Sequence, residues 1–247
     1  MRILIAGESW TIHSIHQKGF DSFTTTEYAE GVAWLRDALE SHGHVVDFMP
    51  SHIASRSFPA TADELAVFDC VILSDIGANT LLLHPDTFAK SRVMLNRLDA
   101  IRDYVLGGGG LVMVGGYMTF QGIDGKARYH ESTVEAVLPV IMRAGDDRIE
   151  APQGIVPEVL LADHPIVRGI DGAWPSLLGL NAVTAAPDAE LIATAGGHPL
   201  LLAGRFGRGR GVAFTSDCAP HWAPPAFVDW QHYPRLWNQI VAWAGSE

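Results

Sequence analysis

Residues 108–122 read Gly108-Gly109-Gly110-Leu111-Val112-Met113-Val114-Gly115-Gly116-Tyr117-Met118-Thr119-Phe120-Gln121-Gly122. Four consecutive apolar residues between glycine runs predict a strand over Leu111–Val114 covered on both faces, as a parallel strand is. The glycines that follow predict a sharp reversal. Such an elbow pushes one side chain, Tyr117, into a cleft and leaves backbone N–H groups free to hold an oxyanion. The same glycines would also serve an ordinary tight turn.

Before this strand, Leu95–Leu106 has a helical pattern stopped by the glycines from Gly107. Arg2–Ala6, Val45–Met49 and Cys70–Ser74 predict three more strands. Residues 7–26 read as a long loop, a candidate lid. A helix over residues 27–41 would follow, capped by Thr26, with Val32, Leu35 and Leu39 on one face and Gly43 ending it. Strands alternating with helices imply βαβ units and right-handed crossovers. Further on, residues 155–161, 191–194, 200–203 and 211–215 predict strands separated by prolines. Residues 205–210 fit a hairpin turn, and Tyr233–Ala244 a last helix burying Leu236, Ile240 and Trp243. With no repeat or dividing linker, residues 1–247 are expected to form one α/β domain.

The 247 residues are 48% apolar and 18% charged, which suits a globular core. A formal net charge of −11 disfavours nucleic acid and anionic membrane surfaces as partners. No stretch approaches the roughly 20 apolar residues of a spanning helix, and the apolar start is too short for a signal peptide. Two cysteines, Cys70 and Cys218, make neither a disulfide framework nor a metal-ligand cluster. A cytoplasmic location, a small-molecule ligand and no cofactor are expected. The seven tryptophans leave room for a homo-oligomer.

In an open parallel sheet, ligands sit beyond the carboxyl ends of the strands. The segments there are Gly7-Glu8-Ser9-Trp10, Ser74 to Asn79, Gly115 to Gly122, and Ser216-Asp217-Cys218-Ala219-Pro220-His221-Trp222. They make Tyr117, His221 and Asp217 the candidate catalytic residues. Glu8, Ser9, Asp75, Gly77, Asn79, Gly116, Gln121 and Cys218 are the candidate ligand-binding residues. His221 can act as a general base, as a ligand-binding group or as a histidine bonded to backbone. Asp75 and Asp217 can orient it, bind ligand hydroxyls or cap turns. Cys218 stands three residues before His221, which permits a thiolate–imidazole pair, whereas Cys70 reads as a small buried hydrophobe. His13 and His16 lack supporting ligands, so no metal site is expected. The charges of Asp146-Asp147-Arg148 read as structural or as part of an interface.

These segments resemble the class I glutamine amidotransferase-like superfamily and, more narrowly, a bacterial "putative glutamine amidotransferase" family. The residues that carry the resemblance are 74–80, 108–122, 146–150 and 216–222. It implies a three-layer, flavodoxin-like fold with a mostly parallel sheet flanked by helices. The superfamily places a nucleophilic cysteine in a Gly-x-Cys-x-Gly elbow, with a histidine near the C-terminus in a His-Pro-Glu order. Here Tyr117 stands in the cysteine's place, Thr119 replaces the second glycine, and His221 lacks that order. A phenol titrating near pH 10 cannot replace an activated thiol, so glutamine hydrolysis by a thiolate is not expected. Three readings follow: a hydrolase or isomerase acting on a small polar or carbohydrate-like molecule; a non-catalytic binding or sensing module; and a glutaminase using Cys218.

Overall fold

The computed structural model describes residues 1–246. Its first strand, β1 (Arg2–Gly7), is followed by β2 (Ser9–Lys18), β3 (Asp21–Glu30), β4 (Val45–Met49), β5 (Cys70–Ser74) and β6 (Gly110–Val114). Later come β7 (Val140–Ile141), β8 (Arg148–Ile155), β9 (Pro157–Val159), β10 (Leu177–Asn181) and β11 (Thr184–Ala185). The last strands are β12 (Glu190–Ala195), β13 (His198–Phe206) and β14 (Gly209–Phe214). Eight of them form one sheet in the order β4-β1-β5-β6-β14-β13-β12-β9. The first five are mutually parallel, and β13, β12 and β9 extend the sheet by antiparallel pairing.

Side chains alternate across a strand, so each central strand feeds two cores. Ile3 and Ile5 of β1, Ile72 of β5 and Val112 and Val114 of β6 face a layer that includes Leu35, Leu39, Leu236 and Ile240. Leu4, Val71, Leu73, Leu111 and Met113 face the other layer, with Leu98, Ile101 and Val105. The helices Ala33–Glu40 and Tyr233–Ala244 thus cover one face, and Arg97–Leu106 the other. Each fully buried Leu, Ile or Val contributes about 1.5–3 kcal/mol relative to exposure. The uninterrupted apolar strands β5 and β6 therefore fix the centre of the fold.

The strands expected at 2–6, 45–49, 70–74 and 111–114 are present within a residue, as are the 205–210 turn and the last helix. The helix read from Leu95 begins at Arg97, where Asn96 Oδ1 accepts from the N–H groups of Leu98 and Asp99. The expected loop at 7–26 is instead an antiparallel ribbon of β2 and β3, reversing at Gly19-Phe20 with φ +66 at Gly19. Because Thr26 and Glu27 belong to β3, the helix starts at Ala33 and not at residue 27, and Thr26 caps nothing. The strand expected at 155–161 is split: β8 ends at Ile155 and pairs with the unanticipated β10, while Pro157–Val159 joins the main sheet.

The carboxyl end of β1 is the pivot. The chain leaves β1 for β4 on one side and returns to β5 on the other, which opens a crevice above β1 and β5. Gly7 has φ +114, and a Cβ there would sit 1.8 Å from the carbonyl oxygen of Ser74, so glycine is needed for the two strand ends to touch. Glu8 and Asp75, immediately past those ends, hold φ of 43° and 45°. Left-handed conformations at non-glycine residues cost about 1–3 kcal/mol each and concentrate where function fixes a side chain.

Candidate functional site

A cavity of about 390 Å³ opens at this crevice, lined by Glu8, Trp10, Asp75, Tyr117, Asp217, Ala219, Pro220 and His221. Glu8 comes from the end of β1, Asp75 from β5, Tyr117 from the turn after β6, and Asp217 to His221 from the turn after β14. Four neighbouring parallel strands thus each deliver polar groups to one point. A wider depression of about 920 Å³, around Asp69, Tyr104 and Gly109, lies at the opposite end of the strands and contains no histidine or cysteine.

The cleft is a carboxyl cluster. Glu8 is buried, and its Oε1 accepts from Ser74 Oγ at 2.5 Å and from Cys218 Sγ at 3.7 Å. Burial, reinforced by Asp217 and Asp75, pushes the Glu8 carboxyl up to about 8. Burial and then Asp217 raise Asp75 to about 6, against the lowering effect of the Met118 N–H that bonds its Oδ1 at 2.9 Å. Asp75 therefore ionises first, and its charge helps keep the proton on Glu8. Asp217 Oδ2 lies 3.5 Å from His221 Nδ1 and raises the imidazole above its ordinary range, against partial desolvation. Asp217 Oδ1 accepts from the Ala219 N–H, which holds the turn in place. The cleft thus holds a carboxyl raised to about 8, a second raised to about 6, and the Asp217–His221 pair.

Tyr117 does enter this cleft from the elbow, and it meets the expected histidine. Its ring stands edge-on to His221 at 4.3 Å and to Trp222 at 5.7 Å, with the Arg148 guanidinium 4.9 Å from its centroid. Its hydroxyl donates to Glu150 Oε1 at 3.0 Å, and Glu150 Oε2 accepts from Trp222 Nε1 at 3.0 Å. Burial and Glu150 both raise the phenol. Tyr117 is a neutral wall for the imidazole, its hydroxyl already committed.

The elbow differs from expectation in its amides. Gly115 N donates to the carbonyls of Phe214 and Ser216, Gly116 N to Asn181 Oδ1, and Met118 N to Asp75. These three N–H groups are occupied by the protein and are not available to an oxyanion. Asn181 also donates to the Gly116 carbonyl and to Asp147 Oδ1. Asp147 is buried and accepts from the amides of Gln121 and Gly122 as well, so it is a structural pin within a charge run. Asp146 and Arg148 on either side form an ion pair at 2.7 Å.

The cysteines answer the thiolate question. Cys218 is fully buried behind Glu8, and its sulfur contacts Glu8 and Ser74 Oγ, the latter at 3.7 Å, with no imidazole among its hydrogen-bond partners. Burial first, then Glu8 and Asp217, raise the thiol well above its ordinary range. Cys70 is likewise buried in β5, and burial raises it too. Neither sulfur meets the requirement of a nucleophile, which is a low-pKa, accessible thiolate. Glu8, Asp217 and Cys218 are also the described residues whose ligand atoms lie within 4.8 Å of one another, so a cation there would have to displace the protons of Glu8 and Cys218.

The remaining candidates fall outside the cavity lining. Ser9 Oγ accepts from the Ser51 N–H and ties the ribbon base to the helix Ser51–Ser57. Gly77 precedes the short helix Ala78–Leu82, which carries Asn79 on its exposed side. The Gln121 amide bonds the carbonyls of Gly125 and Ala144 and the His130 N–H. Gly116 lies behind Asp75, whose Oδ1 a Cβ would approach to 3.3 Å. The ribbon is not a lid, since only its first residues reach the cleft and its tip stands in solvent. Asn181 lies in no segment that the sequence singles out, and Ser74 and Glu150 lie in such segments without an assigned part; pairing of β10 with β8 brings Asn181 and Glu150 to the elbow.

The comparisons bear on this arrangement. The GATase1-like family model, described as "Putative glutamine amidotransferase", matches residues 2–246. The chain is similar to two solved proteins of Salmonella typhimurium, Cytoplasmic Protein STM3548 and Cytoplasmic Protein STM1381 from strain LT2. Each is 43% identical, with 99% of both chains covered and TM-scores of 0.96 and 0.95. A thuA-like protein from Parabacteroides merdae shares the fold at 14% identity, covering 99% of this chain and 89% of that one with a TM-score of 0.60. No curated protein sequence matches the chain. Among the described residues, no helix is long and apolar enough to cross a membrane.

Proposed function

The chain belongs to the GATase1-like family of glutamine amidotransferase relatives, and we propose that its cleft has exchanged thiolate chemistry for proton transfer on a small, uncharged polar molecule. The observation that carries this reading is the convergence of Glu8, Asp75 and Asp217 with His221 around a cavity of about 390 Å³. General acid–base catalysis is most efficient when the acid and base titrate near the working pH. Glu8, raised to about 8, supplies a carboxylic acid at neutrality. The Asp217–His221 pair supplies an imidazole raised above its ordinary range by Asp217. Environments that drive neighbouring acids apart are the usual mark of divided acid and base roles.

The same groups select the ligand. Clustered carboxyls repel phosphates and carboxylic acids and accept hydrogen bonds from hydroxyls. The rings of Trp10 and Tyr117 offer apolar faces at the cavity wall. A polyhydroxylated, carbohydrate-like molecule satisfies both surfaces, and hydrolysis or isomerisation is the reaction class that needs only an acid and a base. Release of ammonia from glutamine is not supported, because the elbow presents Tyr117 and Cys218 is sealed behind Glu8.

A thermal-shift screen of neutral sugars, polyols and their glycosides, followed by product analysis of each hit, tests the proposal. Hits among uncharged polyhydroxylated compounds, with turnover lost in Asp217→Asn and in His221→Ala, are expected. A stabilising compound recovered unchanged would mark a binding module and overturn the catalytic half. Glutamine hydrolysis that disappears in Cys218→Ala would overturn the whole reading.

A further inference from the structure

The ribbon of β2 and β3 stands apart from the fold that carries it. At its base, Gly31 N donates to the Glu8 carbonyl, Ser51 N to Ser9 Oγ, and Tyr28 meets the His52 ring edge-on at 5.2 Å. Among the described residues, the other hydrogen bonds and ring contacts of the ribbon are internal, such as His13 to Thr26 and His16 stacked on Phe23 at 4.5 Å. Its ten-residue strands reach about 33 Å at the usual rise per residue. A two-stranded ribbon alone in water is marginally stable at best. Yet Ile15 is 70% exposed, Phe20 at the tip is fully exposed, and Trp10, Ile12, Phe23 and Tyr28 are each exposed by more than a third.

A second outgrowth has the same character. The helix Pro85–Lys90 buries none of its residues, and the chain then turns at Ser91 with φ 51° into a stretch without regular secondary structure. Phe88 is 83% and Val93 99% exposed, flanked by exposed Leu82, Leu83, Met94 and Leu95. Its polar bonds are local: Asp86 holds Lys90 at 2.7 Å and Arg92 at 3.2 Å.

We propose that these two surfaces are the halves of one interface between copies of this chain, each ribbon clasping the segment 82–95 of a neighbouring copy in a closed homo-oligomer. The six apolar side chains of each outgrowth together expose on the order of 600–700 Å², against the roughly 800 Å² per partner of a standard protein–protein interface. On the ribbon Trp10, Ile12 and Phe23 share one face, Ile15 and Tyr28 the other, and Phe20 stands at the tip, so the arm is apolar on both sides. The charges are complementary. The ribbon carries Asp21, Glu27 and Glu30 against Lys18, whereas the 82–95 segment carries Lys90 and Arg92 against Asp86. One chain thus supplies both a long apolar arm with an acidic bias and an apolar shelf with a basic one, so a second copy is the complementary occupant. A contact between unlike patches closes into a ring or a reciprocal pair when the rotation permits.

Light scattering on the eluting protein at tens of micromolar should give a whole-number multiple of the single-chain mass. Ile15→Glu with Phe23→Glu, and separately Phe88→Glu with Val93→Glu, should each give monomers that keep the native circular dichroism, because all four side chains are exposed. Mixing an Ile15→Cys protein with a Val93→Cys protein should give a two-chain product under a short bismaleimide; Cys70 and Cys218 are buried and supply no background. A monomeric native chain would overturn the proposal. So would loss of assembly in the ribbon variant alone, or cross-linking confined to like-with-like pairs.

Discussion

Replacing Glu8 by glutamine isolates the proton on which the cleft chemistry depends. Glu8 titrates at about 8 in the folded chain against an ordinary 4.5. Between those values the native state keeps a proton that the unfolded chain has released, so raising the pH favours unfolding. From pH 6 to pH 8 that difference spans two units, on the order of 3 kcal/mol, and it is complete above pH 8. For a chain of this size the loss corresponds to roughly 6–12 °C in melting temperature. Glutamine keeps the shape and an acceptor for Ser74 Oγ and Cys218 Sγ but cannot ionise. Asp75 and His221 are raised as well, and both lose stabilisation as pH rises through their folded values, but they titrate in both proteins. The measurement is therefore the difference between two curves: thermal melts of native and Glu8→Gln protein at pH 6, 7, 8 and 9. The variant should gain on the native chain steadily up to pH 8 and then run parallel to it. Curves parallel across the whole range would show that Glu8 carries no raised proton, and the acid role would fall with it.

Asp147→Ala should cost on the order of 3 kcal/mol in urea unfolding, because it strands the amides of Gln121 and Gly122 and the Asn181 side chain in a buried site; a loss under 1 kcal/mol would mean that the elbow is pinned otherwise. Iodoacetamide at pH 8 should leave the folded protein at its unmodified mass and add two groups in urea, since both cysteines are buried with raised thiols. Rapid single labelling of Cys218 in the folded state would contradict the site as described.

The parts of the fold that were legible are those that local chemistry dictates. Short apolar runs such as Cys70–Leu73 and Leu111–Val114, bounded by polar residues or glycines, fit strands buried on both faces, and a rule about strand ends then located Glu8, Asp75, Tyr117 and Asp217. The ribbon was illegible because its apolar residues divide between two faces, Trp10, Ile12 and Phe23 on one and Ile15 and Tyr28 on the other, among threonine, histidine and serine, a pattern without a buried face. The occupied elbow amides and the sealing of Cys218 depend on Asn181 and on Glu8, 65 and 210 residues away. Spacing along a chain carries no trace of such pairings. The same limit made Gln121 and Ser9 look like ligand contacts when their polar atoms serve neighbouring backbone.

The placement of β14 between β6 and β13 bears on how a ribosome delivers this protein. The strand that pairs with Gly110–Val114 is Gly209–Phe214, about a hundred residues later. Until it emerges, the newly made β6 has one row of amides and carbonyls satisfied by β5 and another exposed beside four apolar side chains. Such an unpaired edge invites pairing with another nascent chain. Translation of the second half is thus a window of vulnerability, and slow synthesis across it should favour aggregation or chaperone capture.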